Sequence, residues 1–320
     1  MSDSVNISNY KLAMVFPGQG SQSVGMLAPL AEAFPVVGET FAEASEALGF
    51  DLWRLVQEGP KDELDQTRNT QPAMLTAGVA VWRVWREQGG PEPTLMAGHS
   101  LGEYSALVCA GAVGFVDAVP LVADRGRFMQ AAVPAGEGAM AAILGLEDER
   151  VREVCTEAAR GEVVEPVNFN SPGQVVIAGN AAAVDRAVAL AKSAGAKRAL
   201  KLPVSAPSHC SLMRPAADQL EQRLRGVAIE APRIPVLHNA DVAVYDAPDA
   251  IRAALVRQLD HPVRWVETVT RMAAEGIGQA VECGPGKVLV GLNRRISGSI
   301  ETHPVFDQET LAGALAACRG

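Results

Sequence analysis

Thr94-Leu95-Met96-Ala97-Gly98-His99-Ser100-Leu101-Gly102-Glu103-Tyr104-Ser105-Ala106-Leu107-Val108-Cys109-Ala110 reads as a short apolar strand, a sharp turn and a helix of small apolar residues. The turn has the form G-x-S-x-G. A serine on a strand-to-helix turn needs glycine on both sides, because the backbone is strained and side chains there would collide. Such a turn lifts the hydroxyl out of a sheet and aims it at a helix N-terminus, where free N–H groups favour negative charge. A Gly-rich turn containing serine is common by itself. The strand before it and the helix after it are what make this one a nucleophile elbow.

Strands and helices alternate outward from the elbow. Lys11-Leu12-Ala13-Met14-Val15-Phe16 is a buried strand halted by Pro17-Gly18-Gln19-Gly20, and helical patterns cover about 26–34, 38–49, 71–88, 102–110 and 116–131. That alternation predicts a doubly wound, mostly parallel sheet. The texture changes at Pro134-Ala135-Gly136-Glu137-Gly138. Strand Ala139–Leu144, helix 147–160, strand 163–169, strand Gln174–Ala178, helix 181–194 and strand Arg198–Leu202 then follow. The β-α-β-β-α-β order is that of a ferredoxin-like unit inserted into the larger body. Expected boundaries are 1–136 and 206–320 for the large subdomain and 137–205 for the small one. The return segment predicts helix 211–226, strand 234–238, helices 248–259 and 264–275, and strand Gln279–Glu282.

Composition narrows the functional classes. A chain of 320 residues with 48% hydrophobic and 20% charged residues is an ordinary globular protein of one or two domains. A net charge of −9 argues against a nucleic-acid binder. The five cysteines, Cys109, Cys155, Cys210, Cys283 and Cys318, are scattered without C-x-x-C spacing. They suit free thiols in a reducing cytoplasm and give no zinc pattern. Met1-Ser2-Asp3-Ser4-Val5-Asn6 has neither a basic start nor an apolar run, so no signal peptide is expected. The most apolar stretch, Ala106 to Ala123, is interrupted by Asp117 and Pro120 and is expected to be buried helix and turn, not a membrane span. Gly18-Gln19-Gly20 and Gly284-Pro285-Gly286-Lys287 each lack the spacing and hydroxyl of a phosphate loop, which argues against a nucleotide site. The first loop suits a different role. N–H groups at a strand end beside the serine, joined by the Leu101 N–H, would form an oxyanion hole. It reads equally well as a plain tight turn.

A serine nucleophile needs a base. His99 sits in the elbow, and His238, His261 and His303 lie at strand or loop ends with no distinguishing neighbours. His209 follows Pro203-Val204-Ser205-Ala206-Pro207-Ser208, whose prolines would hold an imidazole rigidly. Asp241, Asp246 and Asp260 are all open as a third member, and none stands out. A Ser-His dyad oriented by a carbonyl would suffice for a thioester, whose leaving group is good. Arg125, in Val122-Ala123-Asp124-Arg125-Gly126-Arg127, reads from composition as one charge on a solvated helix face.

Five segments occurring in order then carry a resemblance. They are Phe16–Gln22, Gly98–Glu103, Ser205–Cys210, Gln258-Leu259 ahead of Pro262–Trp265, and Gly284–Leu289. From about Leu12 to Arg295 the chain resembles the malonyl-CoA:acyl carrier protein transacylases of bacterial fatty acid synthesis. The resemblance implies an α/β-hydrolase-like core with a ferredoxin-like insert. It implies Ser100 as acylated nucleophile, His209 as base, and the Gln19 and Leu101 amides as oxyanion hole. Arg125 would grip the malonyl carboxylate, Gln258 would support the histidine and line the substrate site, and His99 would help line it too. Malonyl-CoA and acyl carrier protein are the implied partners, the latter docking at Lys287, Arg294 and Arg295, with no metal, membrane or resident cofactor. A free-standing acyltransferase of a polyketide synthase, a serine esterase or thioesterase, and a non-catalytic carrier-binding module are the alternatives. The pairing of Ser100 with His209 speaks against the last.

Overall fold

The computed structural model describes residues 11–204 and 206–319; Met1–Asn6 and Ser205, read above, lie outside them. Strand β1 (Lys11–Phe16) is buried from its second residue onward, the pattern of a strand covered on both faces. It pairs in parallel with β2 (Leu95–Gly98) and with β8 (Ile277–Cys283). Strand β7 (Val236–Leu237) adds to β2, and β9 (Glu301–Val305) adds to β8, giving the order β7-β2-β1-β8-β9, all parallel. Side chains alternate across this sheet. Leu12, Met14 and Phe16 join one core, with the helices Pro35–Leu48, Thr67–Glu87 and Phe115–Ala131. Ala13 and Val15 join the other, with Trp265, Val269, Leu289 and Leu292. Phe16 lies opposite Gly98, so the loops leaving β1 and β2 emerge side by side at the carboxyl ends of the strands. Open parallel sheets hold their ligands at such a place.

A second sheet is antiparallel, ordered β4-β5-β3-β6, from β3 (Gly138–Leu144), β4 (Val164–Ser171), β5 (Gln174–Asn180) and β6 (Arg198–Lys201). Helices Asp148–Ala159 and Ala181–Ser193 cover one face through Val151, Val154, Val184 and Ala187, against Ile143, Val175 and Ile177 of the strands. Every element anticipated between 137 and 205 is present, with ends shifted by one or two residues.

Elsewhere the differences have physical causes. The helix expected from 71 begins at Thr67, with Pro72 inside its second turn, because buried Thr67, Thr70 and Gln71 extend the packed face upstream. Expected helix 211–226 is a 3-10 turn, Ser211–Met213, followed by Arg214–Leu224. Strand 234–238 shrinks to β7, and helices Leu52–Glu58 and Lys61–Leu64 were not anticipated. Neither was β9, Glu301-Thr302-His303-Pro304-Val305. As an edge strand it tolerates proline and polar side chains, and so lacks the apolar pattern of β1. Among the described residues no helix is long and apolar enough to cross a membrane.

Candidate active site

The elbow is as tight as its glycines imply. A Cβ on Gly98 would lie 1.8 Å from the Gly102 carbonyl carbon, and one on Gly102 would lie 2.0 Å from the Phe16 carbonyl oxygen. Ser100 itself has φ +51°, a conformation costing a non-glycine residue about 1–3 kcal/mol. Hydrogen bonds from distant residues hold it there. The Ser100 N–H donates to Asn239 Oδ1 (2.7 Å), Asn239 Nδ2 donates to the Gly98 carbonyl (2.6 Å), and Gln258 Nε2 donates to the Ser100 carbonyl (2.9 Å).

His209 is buried, with φ +66°, and its Nε2 lies 2.7 Å from Ser100 Oγ. Its Nδ1 lies 2.7 Å from the Gln258 backbone carbonyl. A carbonyl only accepts, so the proton sits on Nδ1 and the Nε2 lone pair faces the serine hydroxyl. Burial, reinforced by the positive charge of Arg125, pushes the imidazole pKa down to about 3, so it stands neutral and ready to accept a proton. The question of a third member is thereby resolved in favour of the carbonyl. Asp241 pairs with Arg257, Asp260 pairs with Arg214 and His261, and Asp246 is exposed. His99 is turned to another partner, its Nε2 2.7 Å from Asn170 Oδ1 at the end of β4, and burial lowers its pKa too.

Arg125 overturns the solvated-charge reading. It is 1% exposed and lies 5.3 Å from the Tyr104 ring centre. Its Nη1 donates to Gln71 Oε1 and its Nη2 to Gln258 Oε1, both at 2.9 Å, while Nε has no partner. No carboxylate touches this buried cation among the described residues. Desolvation lowers its pKa, and a guanidinium so placed is costly unless it receives an anion. It lines a cavity of about 120 Å³ with Ser100, His209, Leu101, Gln19 and His99, bounded on the other side by Met140, Asn168 and Val176 of the second sheet and by Leu202 just after it. Neither the Gln19 N–H nor the Leu101 N–H has a protein acceptor among the described residues. Gln258, 1% exposed, stands behind the wall of this cavity and not in it.

Several residues that shape the site were not anticipated. Glu103, fully buried, accepts hydrogen bonds from His238 Nδ1 (2.7 Å), the Asn239 N–H (2.9 Å) and Gln258 Nε2 (2.8 Å). His238 therefore does have a distinguishing neighbour, 135 residues away in sequence. Glu103 follows the elbow directly and was legible as part of it, but Gln71, Asn170 and Asn239 carry no sequence signal. Lys287, Arg294 and Arg295 are all exposed, and Arg295 also donates to Ser171 Oγ (3.2 Å) and Gln174 Oε1 (2.8 Å), which ties the large body to the second sheet. The loop Gly284–Lys287 has its helix N-terminus already filled. Glu282, fully buried, accepts the Leu289 and Val290 N–H groups, and burial raises its pKa to about 7. Among the described residues no group of three or more His, Cys, Asp or Glu is arranged to hold a metal ion.

Comparison with known proteins adds to this geometry. A family model described as the acyl transferase domain matches residues 13–313. The malonyl CoA-acyl carrier protein transacylase of Escherichia coli is 60% identical over 305 residues, spanning 95% of this chain and 99% of that protein. The enzyme of the same name from Bacillus subtilis is 46% identical over 306 residues, spanning 95% and 96%. Among solved structures, the malonyl CoA-acyl carrier protein transacylase of Coxiella burnetii matches with a TM-score of 0.96 at 52% identity, covering 97% of this chain and 98% of that one. A malonyl-transacylase in complex with its type II PKS acyl-carrier protein matches with a TM-score of 0.95 at 58% identity, covering 96% and 99%.

Proposed function

This chain belongs to the acyl transferase domain family, and from that premise we propose that it carries malonyl from coenzyme A to the phosphopantetheine thiol of acyl carrier protein through an ester on Ser100. It is an acyltransferase, and on this reading the carrier protein it serves is that of fatty acid synthesis. The observation that carries the choice of acyl group is Arg125. A buried guanidinium with a free Nε, in one small cavity with the Ser100–His209 pair, matches an acyl chain that ends in a carboxylate. A neutral ester would leave that charge unused.

The first half-reaction begins as Ser100 Oγ attacks the thioester carbonyl and His209 Nε2 takes the hydroxyl proton. The Gln19 and Leu101 N–H groups receive the developing oxyanion. The C–S bond then breaks, His209 returns its proton to the coenzyme A sulfur, and malonyl remains on Ser100. Carrier-protein thiol enters, gives its proton to His209 and attacks the ester, and Ser100 recovers its proton as it leaves. Arg125 also connects recognition to chemistry. Its charge opposes protonation of His209, so a substrate carboxylate that offsets this charge favours the imidazolium of the transition state. The reaction as written uses the coenzyme A thioester as substrate and needs no resident metal or redox cofactor.

The finer architecture belongs to the same proposal. An α/β-hydrolase-like body, 1–136 with 206–320, carries nucleophile and base, and a ferredoxin-like insert, 137–205, closes the acyl cavity. The split strand order β4-β5-β3-β6 supports the second description. A cytoplasmic setting fits the scattered free thiols. The test is a transfer assay with labelled malonyl-CoA, with and without carrier protein bearing its phosphopantetheine. Label moving to the carrier protein faster than malonate is released supports the transferase. Release of malonate that outruns transfer points to a thioesterase.

A further inference from the structure

Glu103 is fully buried, and its carboxylate touches none of the reacting groups but is bonded to two residues, Asn239 and Gln258, that touch Ser100. Its Oε2 accepts the Asn239 N–H (2.9 Å), and the Asn239 side chain brackets the elbow, accepting from the Ser100 N–H and donating to the Gly98 carbonyl. The same Oε2 accepts from Gln258 Nε2 (2.8 Å). That amide also donates to the Ser100 carbonyl, so both of its N–H groups face oxygens that only accept. Its own oxygen must then point at Arg125 Nη2, 2.9 Å away. A flipped amide would set oxygen against two acceptors and NH2 against the guanidinium. The polarity of Gln258 is therefore fixed by three partners together, the Glu103 carboxylate, the Ser100 carbonyl and the Arg125 guanidinium. Oε1 is held in turn by His238 Nδ1, 2.7 Å away, which fixes the carboxylate plane.

We propose that Glu103 is a positioning residue for both halves of the site, setting the Ser100 elbow through Asn239 and the Arg125 guanidinium through Gln258. The inference rests on the acyl-transfer reading for its arginine half only, since the elbow half concerns any reaction of Ser100. E103Q keeps size and shape but presents an NH2 group to one of its partners. Set against Gln258, that NH2 puts two donors together, and because the Ser100 carbonyl and the Arg125 guanidinium still oppose a flip, the Gln258 side chain must shift.

The test compares parent, E103Q and E103D in two reactions, with thermal unfolding measured alongside. One reaction is labelling of Ser100 by a neutral fluorophosphonate, which reads the nucleophile alone. The other is transfer from malonyl-CoA against acetyl-CoA, resolved into kcat and KM, which reads the arginine. A misplacement of about 1 Å costs on the order of a hundredfold in rate, so E103Q is expected to lose about tenfold or more in phosphonate labelling. Its malonyl kcat falls by at least as much, and its preference for malonyl over acetyl narrows. E103D, which keeps the charge and withdraws it by one methylene, falls between parent and E103Q. It also serves for both reactions should E103Q not fold. The proposal is overturned if either variant unfolds at lower temperature yet reacts at parental rates once folded, or if only one of the two reactions slows. Failure of the parent to accept malonyl would sink the acyl-transfer reading instead, and the phosphonate comparison would still decide the elbow half.

Discussion

The two sheets bury very different chemistry. In the unit from Gly138 to Lys201 the core is Val, Ile, Ala and Phe with Leu146 and Cys155, and among the described residues the buried polar side chains there are Asn170 and Ser171 at the end of β4. Both of those reach out of the unit, Asn170 to His99 and Ser171 to Arg295. The body around the parallel sheet instead buries Glu103, Arg125, His209, His238, Asn239 and Gln258 in one connected set of hydrogen bonds. Buried polar groups are costly unless satisfied, and this cost is concentrated where atoms must be held for a reaction. The second sheet supplies a wall that is apolar except for Asn168. Changes in the body should therefore damage chemistry, and changes in the small unit should damage stability.

The largest effects are expected at the reacting pair. Ser100→Ala should abolish both the covalent adduct and transfer, and His209→Ala should slow acylation by about 10² to 10⁴, read in single-turnover experiments. Adduct formation by the serine variant, or a histidine variant within about tenfold of the parent, would move those roles elsewhere. Arg125→Ala comes next. With a charge-assisted hydrogen bond contributing about 1.5–3 kcal/mol, kcat/KM for malonyl-CoA should fall by about tenfold to a hundredfold, and acetyl-CoA should suffer less. Equal losses on both substrates would mean that the guanidinium only holds the site together.

The small unit offers the converse. Ile177→Ala, fully buried in β5, should cost about 2–5 kcal/mol in denaturant unfolding and leave the rate per folded molecule near the parent's. A large loss of kcat at unchanged stability would break the division between the two regions.

Acid sharpens it further. His209 is depressed from 6.5 to about 3 in the folded chain, so between those values the unfolded state binds the extra proton. Its stabilising contribution is complete above 6.5 and is lost as pH falls toward 3. Glu282, raised from 4.5 to about 7, contributes in the opposite sense: its share is complete below 4.5 and is lost as pH rises through 7. For activity, acylation should show no inflection near 6.5, because the base remains neutral there; a pH–rate profile of kcat/KM for malonyl-CoA checks this.

The smallest effect belongs to carrier-protein docking. Arg294→Glu should raise the KM for carrier protein a few-fold at low salt and leave acylation by malonyl-CoA unchanged. Arg295→Glu should differ, because that side chain is engaged with Ser171 and Gln174 and its loss also loosens the link to the second sheet. Identical behaviour of the two variants would remove the distinction.

What the sequence disclosed follows from the same contrast. The elbow was legible because its G-x-S-x-G pattern lies within five residues, although only Gly98 is forced by a contact inside it and Gly102 by the distant Phe16 carbonyl. The small unit was legible because apolar periodicity and turn residues are local signals. His209 was visible through its flanking prolines. Arg125 carried a local pattern that pointed the wrong way, since a charge between Asp124 and Arg127 looks solvated until the helices Thr67–Glu87 and Phe115–Ala131 close over it. Asn239 and Gln71 meet their partners across 139 and 54 positions, and no spacing announces such pairs. Strand β9 escaped because an edge strand is free of the pattern that burial on both faces imposes.

One measurement bears on the centre of this account. The protein is mixed with malonyl-CoA, quenched in acid and analysed by intact mass and peptide mapping, and a second sample receives carrier protein with its phosphopantetheine before the quench. A single malonyl group on the peptide containing Ser100, gone from the second sample and recovered on the carrier protein, is the predicted result. A malonyl group on another residue, or one on Ser100 that carrier protein fails to remove, would contradict it.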